Sequence, residues 1–200
     1  MKTAAILFTI LVLGFSAIAQ SSERYAEKIN KSLPSAFMQM EMIDVNGGKF
    51  RLDDFRKKVI LINLWAIWCG PCRVQLPDLV QLQNKYDRRD FEIIGVNMGD
   101  VNGDPETDRA VKVFADQMKL NFYLARGSVP FLSAFYELSG QQIVPQSILI
   151  DRQGSLRGVF LGAGPRVDEN MKQTIERVVH NLPEVSESAK PTSNFSPTKK

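Results

Sequence analysis

Cys69 and Cys72 stand three residues apart, and the chain has no other cysteine. A thiolate is the attacking group in thiol–disulfide exchange, and a second thiol close by can resolve the mixed disulfide that forms. At i and i+3 on a helix two side chains share a face and come within disulfide reach. The residues just before them, Val59-Ile60-Leu61-Ile62-Asn63-Leu64-Trp65, predict a strand buried on both faces. Pro71 predicts the start of a helix that runs to about Arg88. Cys69 then falls at a helix N-terminus, where unpaired N–H groups and the macrodipole favour an anion and depress a thiol pKa. This makes Cys69 the nucleophile and Cys72 the resolving thiol.

Other uses of the pair fit less well. A closed structural zinc site needs four ligands, and the single histidine, His180, lies far along the chain near the end of the last predicted helix. No metal and no cofactor are expected. As a brace, a bridge across two residues constrains the unfolded chain far less than one closing a long loop. An inert pair is the remaining alternative.

The elements that position the pair can be read from periodicity and turn chemistry. Residues 37–43 have the apolar content of a strand. Asn46-Gly47-Gly48 is a hairpin turn leading to a second strand over residues 49–52, and Asp53-Asp54-Phe55 opens a helical turn. In the helix after the cysteines, Val74, Leu79, Leu82 and Tyr86 mark the apolar side, and Pro77 predicts a kink. Residues 91–96 form a second buried strand. Asp104-Pro105-Glu106 reads as a helix start, followed by Val111, Phe114, Ala115 and Met118 on one face. A short strand is expected over residues 121–124 and a helix over residues 131–138. A strand at 147–150, a turn at Asp151-Arg152-Gln153-Gly154 and a strand at 156–161 complete a second hairpin. Pro165 opens a last helix with the stripe Val167, Met171, Ile175, Val178 and Leu182. Alternating strands and helices followed by adjacent strands predict an α/β fold, a mixed sheet with helices on both faces.

The chain has 200 residues, 44% of them hydrophobic, enough for one domain with a core. Residues 1–19 have the form of a signal peptide: Lys2, then an apolar run to Phe15, then Ala17-Ile18-Ala19 before the expected cleavage site. The run is shorter than a spanning helix needs. Membrane contact is expected only if that segment stays uncleaved. Residues 20–34 read as a linker, residues 35–182 as the domain, and residues 183–200, rich in Ser, Pro, Thr and Lys, as a disordered tail. The formal charge of +3 drops to +2 when Lys2 goes with the leader, too mild and too scattered to suggest nucleic acid.

Trp65-Ala66-Ile67-Trp68-Cys69-Gly70-Pro71-Cys72, with Pro77 five residues further on, resembles the active-site segment of thioredoxins. The leader, the strand and helix inserted around residues 91–120, and Val144-Pro145 followed by Ser147-Ile148-Leu149-Ile150-Asp151 resemble the TlpA/ResA-type branch of that superfamily. The resemblance covers roughly residues 35–182. It implies a thioredoxin fold with an N-terminal β-hairpin and a central strand–helix insertion, and an envelope or periplasmic thiol–disulfide oxidoreductase. It implies that Pro145 is cis and faces the disulfide, with the backbone of Val144 beside Cys69 to pair with an extended substrate. It makes Gly70 and Pro71 the residues that tune the pair and Trp68 a wall of the site or a client contact.

The sequence departs from that pattern at two places. Asn63 stands where thioredoxin has a buried aspartate, and Gln75 where the branch often has a glutamate. No carboxylate is thus evident to take the Cys72 proton, and Asp78 reads as a solvated acid. Neither Gly70 nor Pro71 carries a charge that would overstabilise the thiolate. That favours a reductant, closer to thioredoxin at about −270 mV than to DsbA at about −120 mV. Expected partners are protein disulfides or dithiols, cytochrome c maturation clients among them, and a membrane thiol electron donor; the chain is expected to be a monomer. Two alternatives stay open: a peroxiredoxin-like peroxidase and a non-catalytic client-binding module.

Overall fold

A computed structural model describes residues 29–181. The leader, most of the predicted linker, Leu182 and the tail lie outside the described residues. The elements, in chain order, are α1 (Ser35–Met38), β1 (Glu41–Asp44), β2 (Lys49–Arg51), a 3-10 turn (Leu52–Phe55), β3 (Val59–Trp65), α2 (Gly70–Lys85), β4 (Phe91–Asn97), α3 (Asp108–Met118), β5 (Tyr123–Arg126), α4 (Val129–Ser139), β6 (Gln146–Ile150), β7 (Leu156–Leu161) and α5 (Pro165–Val179). The seven strands form one sheet in the order β2-β1-β5-β4-β3-β6-β7. β4 runs parallel to β3 and to β5, whereas β6 is antiparallel to β3 and β7 to β6. This is the expected mixed α/β sheet of a thioredoxin fold.

Every residue of β3 is buried, as its apolar run requires of a central strand. Alternation then divides it between two layers. Val59, Leu61 and Trp65 pack with Leu76, Leu79 and Leu82 of α2, Phe114 of α3, and Met171 and Ile175 of α5. Ile60, Ile62 and Leu64 pack on the other face with Phe37 of α1 and with Phe131 and Phe135 of α4. Asn63 belongs by alternation to the α2 side of the strand, a polar residue in an apolar layer.

Several local expectations are corrected. Residues 37–43 do not form one strand. Phe37 and Met38 are adjacent and both buried, which a strand flanked by solvent on one face does not allow; they form a helical turn after Pro34, and Phe37 stacks on Phe131 at 5.5 Å. The helix expected to start at Asp104 starts at Asp108, where the Thr107 hydroxyl accepts the Ala110 N–H at 3.2 Å. Asp104 is engaged in a loop instead, its carbonyl accepting the Asp100 N–H at 2.8 Å. Helix α2 stops at Lys85 rather than near Arg88, because Tyr86 is extended and packs against Phe91 with ring centroids 5.2 Å apart. Within α2, Val74 is 77% exposed; the buried face is Cys72, Gln75, Leu76, Leu79, Leu82 and Gln83. The helix continues through Pro77.

The end of the predicted linker runs along the start of β7. Asn30 N–H donates to the Leu156 carbonyl at 2.7 Å, and Leu33 N–H to the Gly154 carbonyl at 2.9 Å. At the other end of the described chain, Arg152 of the β6–β7 turn donates to the carbonyls of Val178 and Val179 at 3.3 and 3.1 Å.

Candidate active site

β3 ends at Trp65 and the chain turns through Ala66 and Ile67 to reach Cys69, the N-cap of α2. Cys69 and Cys72 form a disulfide with Cα atoms 5.3 Å apart. Cys69 Sγ also accepts the Cys72 N–H at 3.1 Å, as a capping side chain does. Pro71 sits in the first turn, where its missing N–H leaves no bond unmade. Both sulfurs' residues are buried. The helix N-terminus that would hold a Cys69 thiolate is therefore formed with the pair in its disulfide.

The active-site loop is clamped from two sides. The Trp68 indole N–H donates to the Gly99 carbonyl at 3.0 Å, with Trp68 44% exposed. The Ile67 carbonyl accepts from Arg73 Nε and Nη2 at 3.0 and 2.8 Å, and the Ile67 N–H bonds Glu106. Asn97 Nδ2 also donates to Glu106 Oε2 at 2.8 Å. Burial pushes the Glu106 carboxyl up, Asn97 and Ile67 pull it down, and the Asp100 charge pushes it up; the net direction is upward. Trp65 differs from Trp68: it is fully buried and stacks on Phe114 at 5.3 Å, so it belongs to the core.

The Val144–Pro145 peptide is cis. Leu64 is the register partner of Gln146 in the antiparallel β3–β6 pair. One and two steps further along that register, Pro145 falls opposite Trp65 and Val144 opposite Ala66, beside the turn into Cys69. Pro145 is buried, Val144 half-buried, and Ile143 exposed.

Behind the cysteines lies a polar chain that sequence reasoning did not assemble. Asn63 Nδ2 donates to Ser147 Oγ at 2.9 Å and to Gln75 Oε1 at 3.2 Å; Gln75 Nε2 donates to Asp168 Oδ1 at 2.7 Å. Asp168 Oδ2 accepts the Gly164 N–H at 3.0 Å at the start of α5. The available signals were Asn63 in an apolar strand and Gln75 on the Cys72 face of α2. Asp78, expected to be solvated, pairs with Lys172 of α5 at 2.9 Å. His180 at the end of α5 is exposed and lies 3.2 Å from Glu176.

A thioredoxin fold with a C-x-x-C disulfide capping a helix defines the class: a thiol–disulfide oxidoreductase. Residues 29–159 match the AhpC/TSA family. The chain is 32% identical to the thiol-disulfide oxidoreductase ResA of Bacillus thuringiensis subsp. konkukian, over 89% of this chain and 99% of that one. It is 27% identical to the ResA of Geobacillus thermodenitrificans, over 89% of this chain and 94% of the relative. Among solved structures it resembles a thiol:disulfide interchange protein of the thioredoxin family from Chlorobium tepidum TLS, with TM-score 0.59, 25% identity, and coverage of 70% of this chain and 92% of that one. The chain belongs to the AhpC/TSA family, among its ResA-like thiol–disulfide oxidoreductases.

Proposed function

We propose that the protein is a reductant of protein disulfides acting in the periplasm or cell envelope, with Cys69 as nucleophile and Cys72 as resolving thiol. The observation that carries this is the pair itself: Cys69 caps α2 with only Gly70 and Pro71 between the sulfurs, and neither adds a charge to the thiolate. The Cys69 thiolate attacks one sulfur of a client disulfide, and the other client sulfur leaves as a thiol. Cys72 then gives up its proton and attacks Cys69 Sγ, releasing the second client thiol and closing the disulfide. A dithiol donor must return two electrons and two protons. A membrane thiol carrier suits that role, because a reductant outside the cytoplasm draws its electrons across the membrane.

Trp68, with Val144 and Pro145 across the strand ends, supports a client-binding edge beside Cys69. There an extended segment would pair with the Val144 backbone. Export rests on residues 1–19, and among the described residues no helix is long and apolar enough to cross a membrane. Disulfides of apocytochrome c are one client class in keeping with the ResA relatives. The chain acts as a monomer in this reading. A peroxidase would have to use the same two cysteines, since the chain has no third.

The midpoint of the Cys69–Cys72 couple, measured in graded dithiothreitol or glutathione buffers on protein lacking residues 1–19, tests the direction. A value near that of thioredoxin, about −270 mV, is expected; a value near that of DsbA, about −120 mV, would make the protein an oxidant.

A further inference from the structure

Asn63 Oδ1 is buried in a residue only 1% exposed and has no hydrogen-bond partner among the described residues. Leaving a buried carbonyl unpaired costs about 1–3 kcal/mol. The direction of the polar chain explains why this oxygen, rather than the amide nitrogen, is left over. An ionised carboxylate can only accept. Asp168 therefore receives the Gln75 NH2, which turns Gln75 Oε1 toward Asn63. Asn63 must answer with its own NH2, whose two protons go to Gln75 and Ser147. One half-buried acid at the start of α5 thus orders three side chains head to tail and leaves an acceptor at the inner end. Gln75, which is bonded to Asn63, and Cys72, which packs in the layer of Leu61 and Trp65, are one turn apart on the buried face of α2.

Cys72 in the disulfide has no proton to give. Reduction of the pair breaks the S–S bond and takes two electrons and two protons from the donor dithiol; one proton goes to Cys72 Sγ, and the other is lost to water as Cys69 becomes the thiolate. We propose that Asn63 Oδ1 accepts this Cys72 S–H in the dithiol state, and that Asp168 is the positioning residue that aims it. The inference rests on the thiol–disulfide reading above. Asn63 then does what an aspartate there could not: it holds the proton on the resolving thiol without competing for it. Only Cys69 is a thiolate before attack. Asp78 has no part in this, being held by Lys172.

The test is the dithiol–disulfide equilibrium constant of the full chain without its leader, for the parent and for Asn63→Ala, Asp168→Ala, Asp168→Asn and Asp78→Asn, with thermal melts to certify folding. Asn63→Ala removes both the acceptor and the unpaired oxygen, and is expected to favour the disulfide about tenfold, or about 30 mV toward the reducing side. Asp168→Ala is expected to shift the same way by about threefold, because Gln75 and Asn63 are no longer held in one sense. Asp168→Asn has one accepting oxygen for the Gly164 N–H and the Gln75 NH2, so the sense of the chain is no longer fixed and it is expected to shift as Asp168→Ala does, whereas Asp78→Asn is expected to match the parent. In the infrared, the S–H stretch of the reduced parent should move to higher frequency in Asn63→Ala. Should Asn63→Ala fail to fold, the two Asp168 variants decide the matter. Folded variants all within twofold of the parent would overturn the inference while leaving the oxidoreductase intact. A parent with no reversible transition would instead remove the reading on which it stands.

Discussion

At Glu106 one carboxylate holds the backbone two residues before the nucleophile, and its upward shift makes the consequence depend on pH. A carboxyl whose pKa is higher folded than unfolded binds more protons when folded. Its contribution is fully present below the unfolded value and fades as pH rises through the folded one. Glu106→Gln removes that dependence. The melting temperature of the parent relative to Glu106→Gln should therefore fall as pH rises from about 4 toward neutrality. A gap that widened with pH would mean that the bonds from Asn97 and Ile67 to the ionised form outweigh burial. Gly99 supplies a second test. Its φ is +101°, and a Cβ there would lie 2.5 Å from the Asp104 carbonyl oxygen. Gly99→Ala should cost about 1–3 kcal/mol in urea unfolding. It should also raise the accessibility of Trp68 to a fluorescence quencher, because the backbone that must shift carries the Gly99 carbonyl that holds the indole.

At the scale of elements, helix α2 is where the structure and a simple stripe part company. Leu79→Ala should cost about 2–5 kcal/mol because it empties part of the layer between α2 and β3, whereas Val74→Ala should stay within about 0.5 kcal/mol. Equal effects would mean that the buried face is misassigned. The sequence pattern gave Leu79 and Leu82 correctly but placed Val74 with them, since a valine near the apolar stripe looks the same whether or not anything covers it. β3, β4 and β7 were legible because their apolar residues recur with the period of a buried or half-buried strand. The α1 turn was not: Phe37 and Met38 suit a strand by composition, and only packing against α4 decides otherwise. The helix start at Asp108 was hidden by a better-looking signal. Asp104-Pro105-Glu106 has the right residue types, but the Asp104 backbone closes the Asp100 loop and the Glu106 carboxylate is taken by Asn97. Cys69, Cys72 and the cis Val144–Pro145 bond came through because a short motif carries them. The link from Asn63 through Gln75 to Asp168 did not, because its members are 12 and 93 residues apart and meet only when α5 closes on α2.

Over the whole molecule, support is uneven. β3 is paired along its length with β4 and from Ile60 to Leu64 with β6, while the β1–β2 hairpin meets β5 over a short stretch, through Ile43 and Asp44 opposite Arg126 and Ala125 and the Val45 N–H on the Leu124 carbonyl. Amide hydrogens of β3 and β4 should be the slowest to exchange and those of β1 and β2 the fastest among the strands; uniform protection would show that the hairpin opens only with the whole domain. The same topology separates the reactive rim from the points of attachment. The disulfide sits past the end of β3 at Trp65, near the Gln146 end of β6. Residues 30–33 and the last turn of α5 gather instead around Gly154, Leu156 and Arg152, at the opposite end of the β6–β7 hairpin. A leash fastened to either end of the described chain would therefore leave from the back of the domain. Any contact made there would leave the rim that carries the cysteines uncovered.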